Sequence, residues 1–237
     1  MGKAQAIRAG VGIANALLRV AFAPPCAVCA SPLTAPLDGC VCASCWATIE
    51  PAPQVPWPSG IIAYAAAGGD YVGSLRRIVH AFKYDGRRSL AGPLGELMRV
   101  QGRDVLRDAT HVIPVPLHPW RRMRRGFNQA ADLAQVLELP VASILWRRRI
   151  TATQADLSAA QRKQNVHGAF SLSPLVSQRQ RNAVRGAVVV LVDDVRTTGA
   201  TLHACAEALM PLGVREVRAL TAAIRAQDAV APVRKGS

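Results

Sequence analysis

Acidic residues are scarce in this chain. Fifteen Asp and Glu stand against 29 Lys and Arg, which leaves a formal charge of +14 over 237 residues. The imbalance weighs against cationic partners and favours polyanionic ones. Also missing is any uninterrupted apolar run of the roughly 20 residues that a bilayer-spanning helix needs, so no membrane span is expected. The segment from Ala4 to Ala23 ends in AFA, as a secretory cleavage site does, but Arg8 and Arg19 interrupt its apolar run and Pro24 would follow the cut. A cytosolic location is therefore expected, and with it cysteines that are reduced or metal-bound rather than disulfide-paired. The five histidines show no ligand-like pairing. No internal repeat is present, and a chain that is half apolar is neither disordered nor fibrous.

What is present falls into three parts. Ile7, Val11, Ala14 and Leu18 recur at helical spacing, which predicts an N-terminal amphipathic helix over residues 1–23 that packs on its own protein. Five of the six cysteines then crowd into CAVCASPLTAPLDGCVCASC, and PAPQVPWPSG closes that stretch like a linker, so a small module is expected over 24–59. Residues 60–237 form the third part. Strands are expected at 60–67, 111–116, 141–145, 186–192 and 214–223, with helices at 71–82, 128–139 and 198–210, the second capped near Asn128. Residues 147–168 are polar and aperiodic and read as a long mobile loop. Strands that alternate with helices imply an α/β fold with a parallel sheet, whose ligands bind at the C-terminal strand ends.

Cys26, Cys29, Cys42 and Cys45 form two C-x-x-C pairs, a spacing that suits a structural tetrahedral zinc. Cys40 could replace Cys42 with little change in geometry. Cys205 sits alone in a helical pattern and reads as core. The module carries almost no positive charge, which makes a DNA-binding zinc finger a weak reading. Arginine gathers elsewhere, most densely in RRMRR at 121–125 and again in RRR at 147–149. Part of that excess is an ordinary solvated surface. Four like charges in five residues repel, however, unless an anion sits among them.

The densest chemistry lies in VVVLVDDVRTTGAT, residues 188–201. A buried strand delivers Asp193 and Asp194 to its end, and the chain turns into a helix opened by Thr197, Thr198, Gly199, Ala200 and Thr201. Unpaired N–H groups and the positive dipole end make such a helix start a phosphate cradle, and Gly199 allows close approach. Two carboxylates would repel that phosphate unless they face another part of the ligand. The vicinal hydroxyls of a ribose meet that condition, with a 5′-phosphate in the turn. This arrangement resembles the phosphoribosyl diphosphate (PRPP) motif of type I phosphoribosyltransferases.

Taken with the cysteines, FKYDGR at 82–87, VIPVPLHPWRRMRRGFNQA and TQADLSAAQRKQNVHGAF, the chain resembles the ComF family of competence proteins from about residue 20 to 225. The resemblance implies a zinc-finger-like N-terminus on a type I phosphoribosyltransferase-like parallel sheet. By motif it makes Asp193 and Asp194 the ribose-holding catalytic pair and Thr197 to Thr201 the 5′-phosphate site. Arg124, Arg125 and Gly126 would lie near the diphosphate, with Mg²⁺ accompanying PRPP. Arg196 fills the variable position of the motif, where it either adds a phosphate contact or points to solvent. Lys83, Tyr84 and Gln129 are candidates for the pocket lining.

Two functions follow. One is a PRPP-binding protein that supports natural transformation by handling imported single-stranded DNA in the cytosol, with competence or recombination proteins as possible partners. The other is an active phosphoribosyltransferase that moves ribose 5-phosphate from PRPP to an unidentified nitrogen acceptor.

Overall fold

The computed structural model describes residues 24–53, 60–148 and 168–225, with 11, 12, 14–18, 20 and 22 ahead of them, and Arg121, Arg122 and Arg124 by backbone alone. In chain order its main elements begin with α1 (Ala43–Ala47), β1 (Ile62–Ala67), α2 (Gly73–Tyr84), α3 (Ala91–Gln101) and α4 (Arg103–Leu106). There follow β2 (His111–Pro114), α5 (Pro119–Arg125), α6 (Gln129–Gln135), β3 (Leu145–Arg147) and β4 (Phe170–Leu172). The last are α7 (Gln178–Val184), β5 (Val188–Arg196), α8 (Ala200–Leu209) and β6 (Glu216–Ile224).

The expected parallel sheet is there. Its strand order is β1-β6-β5-β2 and every pairing in it is parallel. The run at the start of β5 lacks alternation because both faces of the strand are covered. Val190 and Val192 join one core, with Leu75, Ile78 and Phe82 of α2, while Val189 and Leu191 join the other, with Leu202 and Leu209 of α8. Each such side chain, fully buried, contributes about 1.5–3 kcal/mol of transfer free energy. Asn128 caps α6 as expected: its side-chain oxygen accepts the Ala130 N–H at 3.2 Å.

The cysteine-rich stretch packs on the same face as α2. Val28, Leu33 and Val41 are buried in the core that holds Leu75, Ile78 and Val79. Polar contacts pin it there. Arg77 donates to the Val28 carbonyl at 3.1 Å, and the Thr48 and Ser74 hydroxyls lie 2.8 Å apart.

Some expectations shift. The strand expected at 141–145 is reduced to a single bridge between Val112 and Val141, and β3 starts only at Leu145, pairing antiparallel with β4 in a separate two-stranded ribbon. The apolar signal at 141–145 came instead from Ile144 and Leu145 turning into the second core. Arg147, expected to open a loop, ends β3; residues 149–167 of that loop lie outside the described residues, as do 54–59 of the linker. The described residues between 11 and 22 are helical, yet Val11, Leu17, Val20 and Phe22 are exposed. Asn15 is buried instead, and its side-chain oxygen accepts the Leu37 N–H at 2.9 Å. Ile7 lies outside the described residues. No helix among the described residues is long and apolar enough to cross a membrane.

Candidate functional site

The C-terminal ends of all four parallel strands open onto one pocket of about 660 Å³. Tyr71 follows β1, Val115 to Leu117 follow β2, and Arg225 follows β6. Its floor is the end of β5.

That strand does not stop where its apolar run stops. It stays paired with β6 through Asp193 to Thr221, Val195 to Ala223 and Arg196 to Ile224. The acids therefore belong to the sheet, and the alternation of a strand sends neighbouring side chains to opposite faces. Asp194 turns toward α2, where the Lys83 Nζ lies 2.7 Å from its Oδ1; each side chain is 14% exposed. Asp193 turns toward α8 and β3, near Cys205 and Arg147. Its Oδ1 accepts the Asp194 N–H at 2.8 Å.

Burial, then the Asp194 charge, pushes the Asp193 carboxyl up to about 7, against the Asp194 N–H, Lys83 and Arg147, which favour its ionised form. For Lys83 the balance runs the other way. Burial opposes its charge, but Asp194 and then Asp193 outweigh it and hold the ammonium above its usual range.

The turn after β5 ends at Gly199, the residue before α8, with φ 77° and ψ 0°. That left-handed backbone favours glycine, and without a Cβ the chain at Gly199 can approach a ligand closely. Thr197, Gly199, Ala200 and Thr201 line the pocket. Thr198 is not in that lining; its hydroxyl accepts the Ala200 N–H at 3.4 Å and braces the turn.

On the opposite wall, Arg125 donates to the Tyr84 hydroxyl at 3.2 Å and to the Gln129 side-chain oxygen at 3.1 Å, with its guanidinium 4.8 Å from the Tyr84 ring centroid. The arginine faces the pocket but is held in place by both sides of it. Gly126 is exposed, has φ 77° and is not in the lining. The Arg124 side chain lies outside the described residues.

Lys83, Tyr84 and Gln129, the candidate lining residues, all reach the pocket. Arg147, Arg196 and Arg225 do too, and sequence reasoning gave none of them a firm place. Arg147 is buried because in Leu145-Trp146-Arg147 the outer two residues turn inward and the middle one outward, the period of two of a strand.

The cysteines gather on the far side of α2. The sulfurs of Cys26, Cys29, Cys42 and Cys45 all lie within 4.8 Å of one another, with Cys26 to Cys45 at 4.0 Å and Cys29 to Cys42 at 3.7 Å. Zinc–sulfur bonds of about 2.3 Å in a tetrahedron imply edges of about 3.8 Å, so the four thiols fit a metal ion. The Val28 and Cys42 N–H groups donate to the Cys26 sulfur at 3.4 and 3.3 Å, as suits a thiolate. The Ser44 hydroxyl, ahead of contacts from Cys45, lowers the Cys42 thiol to about 6, while burial first of all pushes Cys45 up to about 12. Cys42 rather than Cys40 completes the cluster; Cys40 offers its carbonyl to the Ala27 N–H at 2.8 Å.

Comparison with known proteins agrees with this geometry. The phosphoribosyl transferase domain model matches residues 123–235. The chain is 38% identical over 162 residues to Competence protein F of Haemophilus influenzae, an alignment that covers 63% of this chain and 68% of that protein. It is 33% identical over 159 residues to DNA utilization protein YhgH of Escherichia coli K12, covering 63% of this chain and 66% of the relative. To Competence protein ComFC of Bacillus subtilis it is 33% identical over 102 residues, 43% of this chain and 39% of that one. A four-cysteine cluster beside a parallel sheet, a phosphoribosyl transferase match and close relatives among competence proteins lead to one assignment: the chain belongs to the ComF family of competence proteins.

Proposed function

We propose that the protein binds PRPP, or a related phosphoribosyl ligand, at the ends of β5 and β2, and supports natural transformation by handling imported single-stranded DNA in the cytosol. In this reading a four-cysteine module over 24–59, holding a structural zinc, sits on a phosphoribosyl-binding domain over 60–237. The observation that carries it is the meeting of Asp193 and Asp194 with the Thr197–Thr201 turn on one pocket. The 5′-phosphate lies at the N-terminal end of α8, with the Thr197 and Thr201 hydroxyls beside it. The ribose hydroxyls donate to the two carboxylates, and the diphosphate extends toward Arg124, Arg125 and Gly126 across the pocket. Mg²⁺ bound with the diphosphate supplies further charge neutralisation. The DNA role is supported by the names of the relatives and by the +14 charge.

Calorimetric titration with PRPP and Mg²⁺ tests the site. Wild type is expected to bind and the double variant Asp193→Ala, Asp194→Ala, folded and metal-loaded, to fail. Equal binding by both would remove the acids from the ligand.

A second reading, transfer of ribose 5-phosphate to a nitrogen acceptor, is favoured by one observation. Two of the chain's three tyrosines, Tyr71 and Tyr84, are among the lining residues together with Trp120 and Phe127, and a planar acceptor could stack on such rings. In that reaction the C1–O bond breaks, diphosphate leaves with the electron pair, and the acceptor nitrogen bonds C1 and loses its proton. Diphosphate release that depends on one acceptor would establish it.

A further inference from the structure

We infer that Lys83 is itself a ligand-contacting residue of this pocket, a built-in cation that offsets the acidic pair and lets a phosphoribosyl anion bind without requiring a divalent metal. The inference rests on the phosphoribosyl reading of the site and adds to it a residue and a metal dependence.

Three observations lead to it. Lys83 and Asp194 come from different elements, the last turn of α2 and the end of β5, yet meet at 2.7 Å on the lining of the pocket. Each is 14% exposed, so the pair is neither a solvated surface bridge nor a dry core pair. An ammonium has three N–H donors. Among the described residues its ion-pair partner is the Asp194 carboxylate, which leaves donors for a ligand oxygen at the same place.

The charge balance points the same way. Two unpaired carboxylates at the floor would present two negative charges to an anionic ligand. Lys83 cancels one of them, and Asp193, held at about 7, is only partly ionised near neutrality. Arg147, Arg196 and Arg225 reach the same pocket. Cations of the chain thus line the pocket that a ligand anion would enter.

The test is a cycle of PRPP titrations, with saturating Mg²⁺ and with Mg²⁺ omitted, on wild type, Lys83→Gln and Lys83→Arg, each checked for zinc content and thermal unfolding. Wild type is expected to bind under both conditions within a few-fold. Lys83→Gln is expected to lose about 10-fold or more without Mg²⁺, the scale of a charged hydrogen bond, and to regain much of it when Mg²⁺ is added. Lys83→Arg keeps most of the metal-free binding.

Because Lys83→Gln strands a largely buried carboxylate, the paired variant Lys83→Gln, Asp194→Asn serves as the folding control. If that neutral pair, or Lys83→Gln itself, binds PRPP like wild type without Mg²⁺, the ion pair is only structural and the inference is overturned. A wild type that binds only with Mg²⁺ overturns it as well, while leaving the phosphoribosyl site standing. A wild type that binds PRPP under neither condition sinks the site and the inference together.

Discussion

Asp193 makes the site sensitive to pH. Its carboxyl is pushed up to about 7 by burial and by Asp194, against about 4 in an unfolded chain. The folded chain thus holds this proton more tightly than the unfolded one. The resulting stabilisation is fully present below pH about 4 and is lost as the pH climbs through about 7. A ribose hydroxyl that donates to Asp193 favours the ionised form, so affinity for ribose 5-phosphate is expected to rise between pH 6 and 8. The ligand phosphate releases its own second proton near pH 6, but it does so equally with every variant. Asp193→Asn should therefore show a flatter profile than wild type by calorimetry, and superimposable profiles would take Asp193 off the ribose. Gly199 offers a backbone counterpart. Its φ of 77° places alanine in the left-handed region at a cost of roughly 1–2 kcal/mol. Gly199→Ala should lower the urea midpoint by a matching amount and weaken ribose 5-phosphate binding, through a displaced cradle.

At the scale of elements, much of the architecture was legible. The apolar run of β5, the helical spacing of α2 and the Asn128 cap each state their own conformation locally. The length of β5 does not. Its last residues, Asp193 to Arg196, are strand because β6 continues alongside them to Ile224, and nothing in Asp-Asp-Val-Arg, with one apolar residue among three charged ones, announces a partner found elsewhere in the fold. Arg147 stayed hidden for a similar reason: three consecutive arginines look like solvated charge until β4 pairs with the first and turns it inward. Thr198 was legible as part of the turn but not as the residue that braces it, a distinction set by one hydroxyl's direction. The cysteine pattern, by contrast, depends on spacing alone, which two C-x-x-C pairs carry in full. Since that cluster backs onto α2 through Arg77 and Ser74, its loss should be felt in the pocket. Cys26→Ser is expected to abolish stoichiometric zinc by elemental analysis, lower the thermal midpoint and weaken PRPP binding as α2 and its Lys83 loosen. Unchanged PRPP affinity in a zinc-free chain would show the two sites to be independent.

For the whole molecule, charge is the dominant property. A chain at +14 that holds single-stranded DNA should do so largely by displacing counterions. Contacts to about five phosphates would lower affinity roughly 100-fold between 50 and 200 mM salt. Fluorescence anisotropy with a short oligonucleotide measures that slope, and affinity unmoved by salt would contradict an electrostatic grip on the strand. The two acids at the pocket floor belong to the same global scale. Because β5 stays paired with β6 beyond both, as far as Arg196 and Ile224, the amide protons shared between those two strands can exchange with solvent only when the strands part. Deuterium should therefore enter the amides that bind β5 to β6 slowly, with or without ligand, and the Asp194 amide, which donates to the Asp193 carboxylate, sooner. The pocket's floor then meets its ligand already assembled, and any closing motion belongs to the walls.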